Sequence, residues 1–229
     1  YHCVFTIPDK MSQEKIDMLK AYGAEVIVTP TDLDHHHPDS YVEVAKRIAS
    51  QTKGALYTDQ YYNMHNPEAH YLSTGPEIWD ATDGKIDSFV AGLGTGGTLT
   101  GVGRRLKEHN PTVRIIAAAP HPGDLVQGLR SLEEGYFPPV FDEAVLDGRI
   151  VVDSETSFMM TKQLVQEAGI FAGSSSGAAV RAAQHAAERM DVGKIVVLLA
   201  DGGWKYLSTG LWTKNYADII EDVGEKLWW

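Results

Sequence analysis

Residues suited to chemistry are most concentrated in Gly92-Leu93-Gly94-Thr95-Gly96-Gly97-Thr98, between a strand-like run and a helix-like run. Glycines without Cβ let backbone N–H groups turn inward around an anion, and a helix starting there adds its positive end. Thr95 and Thr98 add hydroxyl donors, so the segment suits a phosphate group. A strand-to-helix turn that holds no ligand needs fewer small and hydroxylated residues in a row. Gly92, Gly94 and Gly97 also satisfy the G-x-G-x-x-G spacing of dinucleotide sites. That pattern expects an acidic residue about 20 positions on, at the end of the next strand, to bind a ribose. Here the strand ends Ala117-Ala118-Ala119-Pro120, without a carboxylate. A nicotinamide-dinucleotide site is therefore the weaker alternative.

A second cluster, Gly173-Ser174-Ser175-Ser176-Gly177, lies between Ile170-Phe171 and an alanine-rich run. One serine suffices to cap a helix; three allow one hydroxyl to cap while another faces a cleft. Arg130, in Gln127-Gly128-Leu129-Arg130-Ser131-Leu132, offers a guanidinium fork that suits a dianionic phosphate. The alternative for Arg130 is a surface position balancing Glu133 and Glu134. Gln60 precedes Asn63 and Asn66 and is either a ligand-contacting amide or a satisfied strand-end amide. His35-His36-His37 invites a metal reading, but consecutive side chains diverge and no further cluster is spaced to help, so a solvated loop is expected and no metal. Cys3 reads as a core residue of the first strand.

The elements that must position these residues alternate between strand and helix, which predicts an α/β fold with largely parallel sheets. Strands are expected at 3–7, 25–29, near 55, and at 86–91, 114–119, 150–152 and 195–200; helices at 12–22, 41–51, 68–79, 98–109, 155–168 and 178–190. Ser12 is the expected N-cap of the first helix. A domain boundary is expected near Asp83, giving 1–82 as a smaller unit, 83–210 as a larger one that holds the anion loop, and 211–229 as an aromatic tail.

Composition narrows the partners. Twenty basic against 31 acidic side chains give a net charge of −11, which disfavours nucleic acid and anionic membrane surfaces. No apolar run is long enough to span a bilayer. A single cysteine excludes an internal disulfide and suits a reducing cytoplasm. The chain opens at Tyr1 directly in a strand-like run, without a signal or transit pattern, as expected if a front part is missing.

Four motifs in order carry a family resemblance over nearly all of residues 1–210. Gly94 to Thr98 followed by Leu-Thr-Gly resembles the phosphate cup of fold-type II pyridoxal-phosphate (PLP) enzymes. Glu167 to Ala179 resembles the turn whose serine meets the pyridine nitrogen; Asn66-Pro67 through Trp79, and Asp201 to Thr209, resemble the same family. The resemblance is to the cysteine synthase and cystathionine beta-synthase group. It implies a tryptophan-synthase-beta-like fold with two open, twisted, mostly parallel sheets, and PLP as cofactor. It assigns Gly94, Thr95, Gly96, Gly97, Thr98 and Ser175 to the cofactor, and Gln60 to the carboxylate of a small amino-acid substrate. The implied reaction is β-replacement on an activated serine, O-phosphoserine or O-acetylserine, with a sulfur nucleophile, in a homodimer.

The stretch around Arg130, with Arg114, residues 201–210 and the ending Lys226-Leu227-Trp228-Trp229, is similar to actinobacterial cysteine synthases that use O-phosphoserine and a sulfur-carrier protein. On that likeness Arg130 binds the substrate phosphate. Two departures matter. Ala119 stands where the family often has an acid before the proline, and the motif that carries the family's Schiff-base lysine does not occur in these residues. The expectation is a fragment of a complete enzyme, inactive alone, the alternative being a catalytically dead binding or regulatory module.

Overall fold

The computed structural model describes residues 1–31, 33, 37–124, 126–189 and 193–223. In chain order the elements are β1 (Val4–Pro8), α1 (Gln13–Ala21), β2 (Glu25–Thr29), α2 (Tyr41–Gln51), α3 (His65–Ala69), α4 (Gly75–Ala81) and β3 (Ser88–Gly92). There follow α5 (Gly97–His109), β4 (Arg114–Ala119), β5 (Gly148–Val151), α6 (Ser154–Ala168), α7 (Ser174–Ala187), β6 (Ile195–Val197) and α8 (Tyr216–Val223). β1 and β2 form one parallel pair; β5-β4-β3-β6 form a second, all-parallel sheet. This is the expected α/β architecture of parallel sheets flanked by helices.

The chain divides into two compact units, Asp59–Gly202 on the one hand and Tyr1–Thr58 with the segment beginning at Gly203 on the other. In the first of these, β3 and β4 are continuous apolar runs because helices cover both faces of the sheet. Phe89, Ala91, Ile115, Ala117 and Ala119 pack with Leu99, Val102 and Leu106 of α5. Val90, Ile116 and Ala118 alternate to the other face, against Ala178, Ala179, Ala182, Ala183 and Ala186 of α7. Alanine at those positions gives α7 a flat face that lies close on the sheet.

α5 carries glycine one turn apart, at 97 and 101, and these decide what can approach it. A Cβ on Gly101 would meet the Pro67 carbonyl oxygen, with His70 Cβ at 2.7 Å and the Tyr71 nitrogen at 2.9 Å. One on Gly97 would overlap the Asn66 amide. The segment from Pro67 to Tyr71 therefore packs almost backbone to backbone on α5 at Gly101. Between α3 and α4 the helix widens into a π turn, His70–Thr74, in which the Gly75 N–H reaches the His70 carbonyl.

These contacts shift the expected boundary. Residues 59–82 belong with the larger sheet rather than with 1–58, because α5 accepts α3 and the π turn directly. Residues from Gly203 pack with α1 instead of ending the larger unit. Ser12 Oγ donates to the Lys205 carbonyl, the Ser208 N–H and hydroxyl donate to the Glu14 carboxylate at 2.6 and 2.7 Å, and Lys15 lies 4.2 Å over the Tyr206 ring. The Ser12 side chain makes no capping bond to α1. The segment after 210 is not a detached tail, since Leu211 and Ile219 are buried.

Other expectations are corrected locally. No strand forms near Ala55, where Leu56 is 85% exposed and gives a strand no face to bury. The helix expected from Glu68 begins at His65, with Pro67 in its first turn, where a missing N–H costs nothing. Cys3 precedes β1 and is exposed. His35, His36 and residues 226–229 lie outside the described residues, while His37 Nδ1 accepts from the Asp39 N–H at 3.1 Å. Among the described residues no group of His, Cys, Asp and Glu is placed to hold a metal, and no helix is long and apolar enough to cross a membrane.

The glycine contact is open to a stability test. Gly101→Ala forces a methyl into the Pro67–His70 backbone and lowers stability by about 1–3 kcal/mol. At Gly103 a Cβ would meet Val145 and Ile115 side chains at 3.3 and 3.4 Å. That tightness is offset by the helix preference for alanine, about 1 kcal/mol, leaving Gly103→Ala near neutral. Urea unfolding of both variants decides it; equal midpoints would contradict the packing described.

Candidate functional site

A cavity of about 170 Å³ opens at the C-terminal ends of β3 and β6, lined by Gly92, Gly94, Thr95, Gly96, Thr98, Gly128, Leu129, Ser175, Leu198 and Ala200. The chain leaves β3 toward β4 on one side, while β6 pairs on the other, so the cavity sits at a switch point of strand order. Open parallel sheets bind ligands at such points. The structure thus brings Ser175 to the same cavity as the glycine loop, 77 positions apart by their numbers 98 and 175.

The loop takes its shape from close backbone contacts. Gly94 approaches the Gly128 carbonyl, which a Cβ would meet at 2.8 Å, and Gly96 adopts φ +83°, a conformation that favours glycine. The Arg130 N–H donates to the Leu93 carbonyl at 2.7 Å, tying the 127–130 loop to the end of β3. Gly94, Thr95 and Gly96 precede α5, and their N–H groups have no hydrogen-bond partner among the described residues. Orphan donors beside a helix N-terminus are what an anion satisfies.

Two side chains that the sequence reading did not single out hold this loop from behind. Asn66 Nδ2 donates to the Gln60 carbonyl at 2.7 Å and to Thr95 Oγ1 at 3.1 Å. Thr95 Oγ1 also accepts the Gly97 N–H at 3.3 Å, so its own proton is left to point elsewhere. His70 Nε2 lies 3.1 Å from Thr98 Oγ1, and its Nδ1 lies 2.9 Å from Thr74 Oγ1. Burial lowers the His70 pKa from 6.5, so the ring is neutral near pH 7.

Ser175 stands in the first turn of α7, not in a turn ahead of it. α7 begins at Ser174, with Gly173 as N-cap and no side-chain capping bond. Packing overrides the weak helix preference of Ser and Gly. The Ser174 carbonyl accepts Ser157 Oγ at 2.8 Å and Thr161 Oγ1 at 3.3 Å, and Gly177 lets α6 approach, since a Cβ there would meet the Thr161 nitrogen at 2.8 Å. The Gly173 N–H donates to the Asp201 carbonyl at 2.9 Å, fixing the start of α7 beside the strand end.

Of the expected site residues, Gly97, Arg130 and Gln60 are not among the cavity-lining residues, and the Gly97 N–H is taken by Thr95 Oγ1. Arg130 places its guanidinium 5.5 Å from the Tyr61 ring and 4.9 Å from the Tyr136 ring, which meet edge to face. Burial and the bond to Tyr62 push the Tyr136 phenol up to about 12, so it stays a neutral aromatic face for the cation. Glu133 pairs with Arg149 at 3.2 Å. The Gln60 side chain is exposed, and its backbone carbonyl anchors Asn66.

The donor set fits a phosphate: unpartnered N–H groups, hydroxyls at Thr95 and Thr98, and no carboxylate in the lining. Ser175 adds a neutral hydroxyl suited to a heterocyclic nitrogen.

His70 also makes stability depend on pH. With its folded pKa below its unfolded value, the unfolded chain takes up the proton first as pH falls. The stabilisation is full above about pH 6.5 and is lost as pH drops through the folded pKa. His70→Gln removes that component, so its melting temperature falls less steeply than the parent's between roughly pH 7.5 and 5. Parallel melting curves across that range would contradict the neutral, buried ring.

Comparison with known proteins agrees with this geometry. The model of the family described as "Pyridoxal-phosphate dependent enzyme" matches residues 1–201. The chain is 37% identical to a cystathionine beta-synthase of Apis mellifera over 100% of its own length and 49% of the relative's. It is 39% identical to a cystathionine beta-synthase of Dictyostelium discoideum, covering 92% of the chain and 45% of that protein. It is 40% identical to a cysteine synthase of Staphylococcus aureus, covering 93% of the chain and 70% of that protein. The chain spans about half the length of the cystathionine beta-synthases it matches. With a family model covering most of its residues and a phosphate-shaped loop at the sheet's switch point, the chain belongs to the pyridoxal-phosphate dependent enzyme family of fold type II.

Proposed function

We propose that the protein containing this chain is a cysteine synthase, which replaces the β-substituent of O-phosphoserine or O-acetylserine with a sulfur nucleophile to give L-cysteine. The observation that carries the reading is the chemistry of the cavity wall, which offers Thr95, Thr98 and Ser175 hydroxyls and neither a carboxylate nor a lysine. When bound, pyridoxal phosphate supplies an electron sink for the substrate's Cα. Gly94 to Thr98 would hold its phosphate through backbone N–H groups and the two threonine hydroxyls. Ser175 would meet the ring nitrogen with a neutral group. A carboxylate at that position would favour a protonated ring; a hydroxyl gives a weaker sink, which favours loss of a β-leaving group over transamination.

Asn66 keeps the Gln60 segment against the loop, and Gln60 would contact the substrate carboxylate. The lysine that anchors the cofactor would come from outside the 229 residues. The relatives named above support a sulfur amino-acid reaction in general terms; the homodimer, the reducing cytoplasm and a carrier-protein sulfur donor belong to this proposal.

Arg130 decides between the two substrates. Its seat on the Tyr61 and Tyr136 rings holds the guanidinium in place, and its fork suits a dianionic phosphate. If Arg130 binds the leaving phosphate, Arg130→Ala in the holoenzyme weakens O-phosphoserine use by about 1.5–3 kcal/mol, roughly 10- to 150-fold in kcat/KM. O-acetylserine use stays nearly unchanged, and Arg130→Lys recovers only part of the loss. Equal effects on both substrates, or none, would return the assignment to an acetylserine-dependent enzyme.

A further inference from the structure

His70 stands between two hydroxyls behind the anion loop, 3.1 Å from Thr98 Oγ1 through Nε2 and 2.9 Å from Thr74 Oγ1 through Nδ1. A neutral imidazole has one donor nitrogen and one acceptor nitrogen, so two arrangements satisfy both contacts. In one, Nε2–H donates to Thr98 and the Thr74 hydroxyl donates to Nδ1. In the other, the Thr98 hydroxyl donates to Nε2 and Nδ1–H donates to Thr74. They differ in what Thr98 shows to the cavity it lines. The first leaves its proton free to donate. The second commits that proton to the ring and leaves only lone pairs facing any anion, which repel it.

Thr95 shows the same logic without the ambiguity. Both groups behind its oxygen, the Asn66 amide and the Gly97 N–H, can only donate, so its hydroxyl must donate outward. The π turn places His70 and Thr74 one above the other on the side of the helix that meets α5, next to Gly101. His70 thus occupies for Thr98 the place that Asn66 occupies for Thr95.

We propose that His70 is a positioning residue for the bound phosphate: as the Nε2–H tautomer it holds Thr98 Oγ1 from behind, so that the Thr98 hydroxyl donates to the anion, and the anion in turn selects that tautomer. The inference rests on the reading that residues 94–98 hold the cofactor phosphate. No proton is gained or lost overall; one hydrogen-bond chain, Thr74 to His70 to Thr98 to phosphate, runs in a single direction.

The test uses the full chain with 15N-labelled histidine, loaded with pyridoxal phosphate or with pyridoxal, which lacks the phosphate. Ring-nitrogen shifts are expected to report the Nε2–H tautomer for His70 with pyridoxal phosphate and a smaller Nε2–H population with pyridoxal. His70→Leu is expected to weaken pyridoxal phosphate binding roughly ten-fold or more and leave pyridoxal binding unchanged, because the Thr98 hydroxyl is no longer held to donate to the charged phosphate. His70→Gln, which restores an N–H donor, retains most of the affinity, and adding Thr98→Val to His70→Leu causes little further loss. An Nδ1–H tautomer in the phosphate-loaded protein, or losses at His70 and Thr98 that simply add, overturns the proposal. If the unaltered chain binds pyridoxal as tightly as pyridoxal phosphate, it is the phosphate reading of the loop that fails, and no variant is needed to see it.

Discussion

Gly97 and Gly101 allow the Pro67 carbonyl and the Asn66 and His70 side chains to rest directly on α5, a separation no Cβ would permit. The rest of the site follows from that contact. Asn66 reaches Thr95 and His70 reaches Thr98 only because the two helical segments touch at their backbones. The π turn adds to the same arrangement, placing His70 and Thr74 within hydrogen-bond reach of each other. A glycine that reads as merely permissive in the loop is thus a packing device: Gly97 does not line the cavity, its N–H donates to Thr95 Oγ1, and its missing Cβ admits Asn66.

The electrostatics are local. The chain carries a net charge of −11, yet the cavity needs no formal positive charge to suit an anion. N–H groups ahead of α5 with no partner among the described residues, the helix's own dipole and the Thr95 hydroxyl held from behind by two donors all present hydrogen toward the same space. Arg130 lies outside the lining, with its guanidinium over two tyrosine faces.

Much of this was readable from the sequence because it is local. The run from Gly92 to Thr98 and the alternation β3-α5-β4 need only neighbouring residues to be recognised; the alternation stands as expected, with the run joining β3 to α5. The absence of an acid after β4 correctly separated this loop from a dinucleotide fingerprint. What was hidden is long-range. Asn66 and Thr95 are 29 positions apart and His70 and Thr98 are 28 apart, so neither pair leaves a periodic trace. The unit boundary was misplaced because Gly101 reads as an ordinary weak helix residue until its neighbour's backbone is seen. The serines of α7 read as a turn for a similar reason, since the hydroxyls of Ser157 and Thr161 that hold the Ser174 carbonyl come from another helix.

The central claim, that the backbone between Gly94 and Thr98 holds the phosphate, is tested most directly by amide hydrogen exchange. Exchange would be followed residue by residue in the chain alone, with pyridoxal and with pyridoxal phosphate. The account predicts that the N–H groups of Gly94, Thr95 and Gly96 exchange fast in the free chain, having no partner among the described residues, and slow strongly only when the phosphate is present. Protection that appears equally with pyridoxal, or that falls elsewhere while these three amides stay fast, would contradict it.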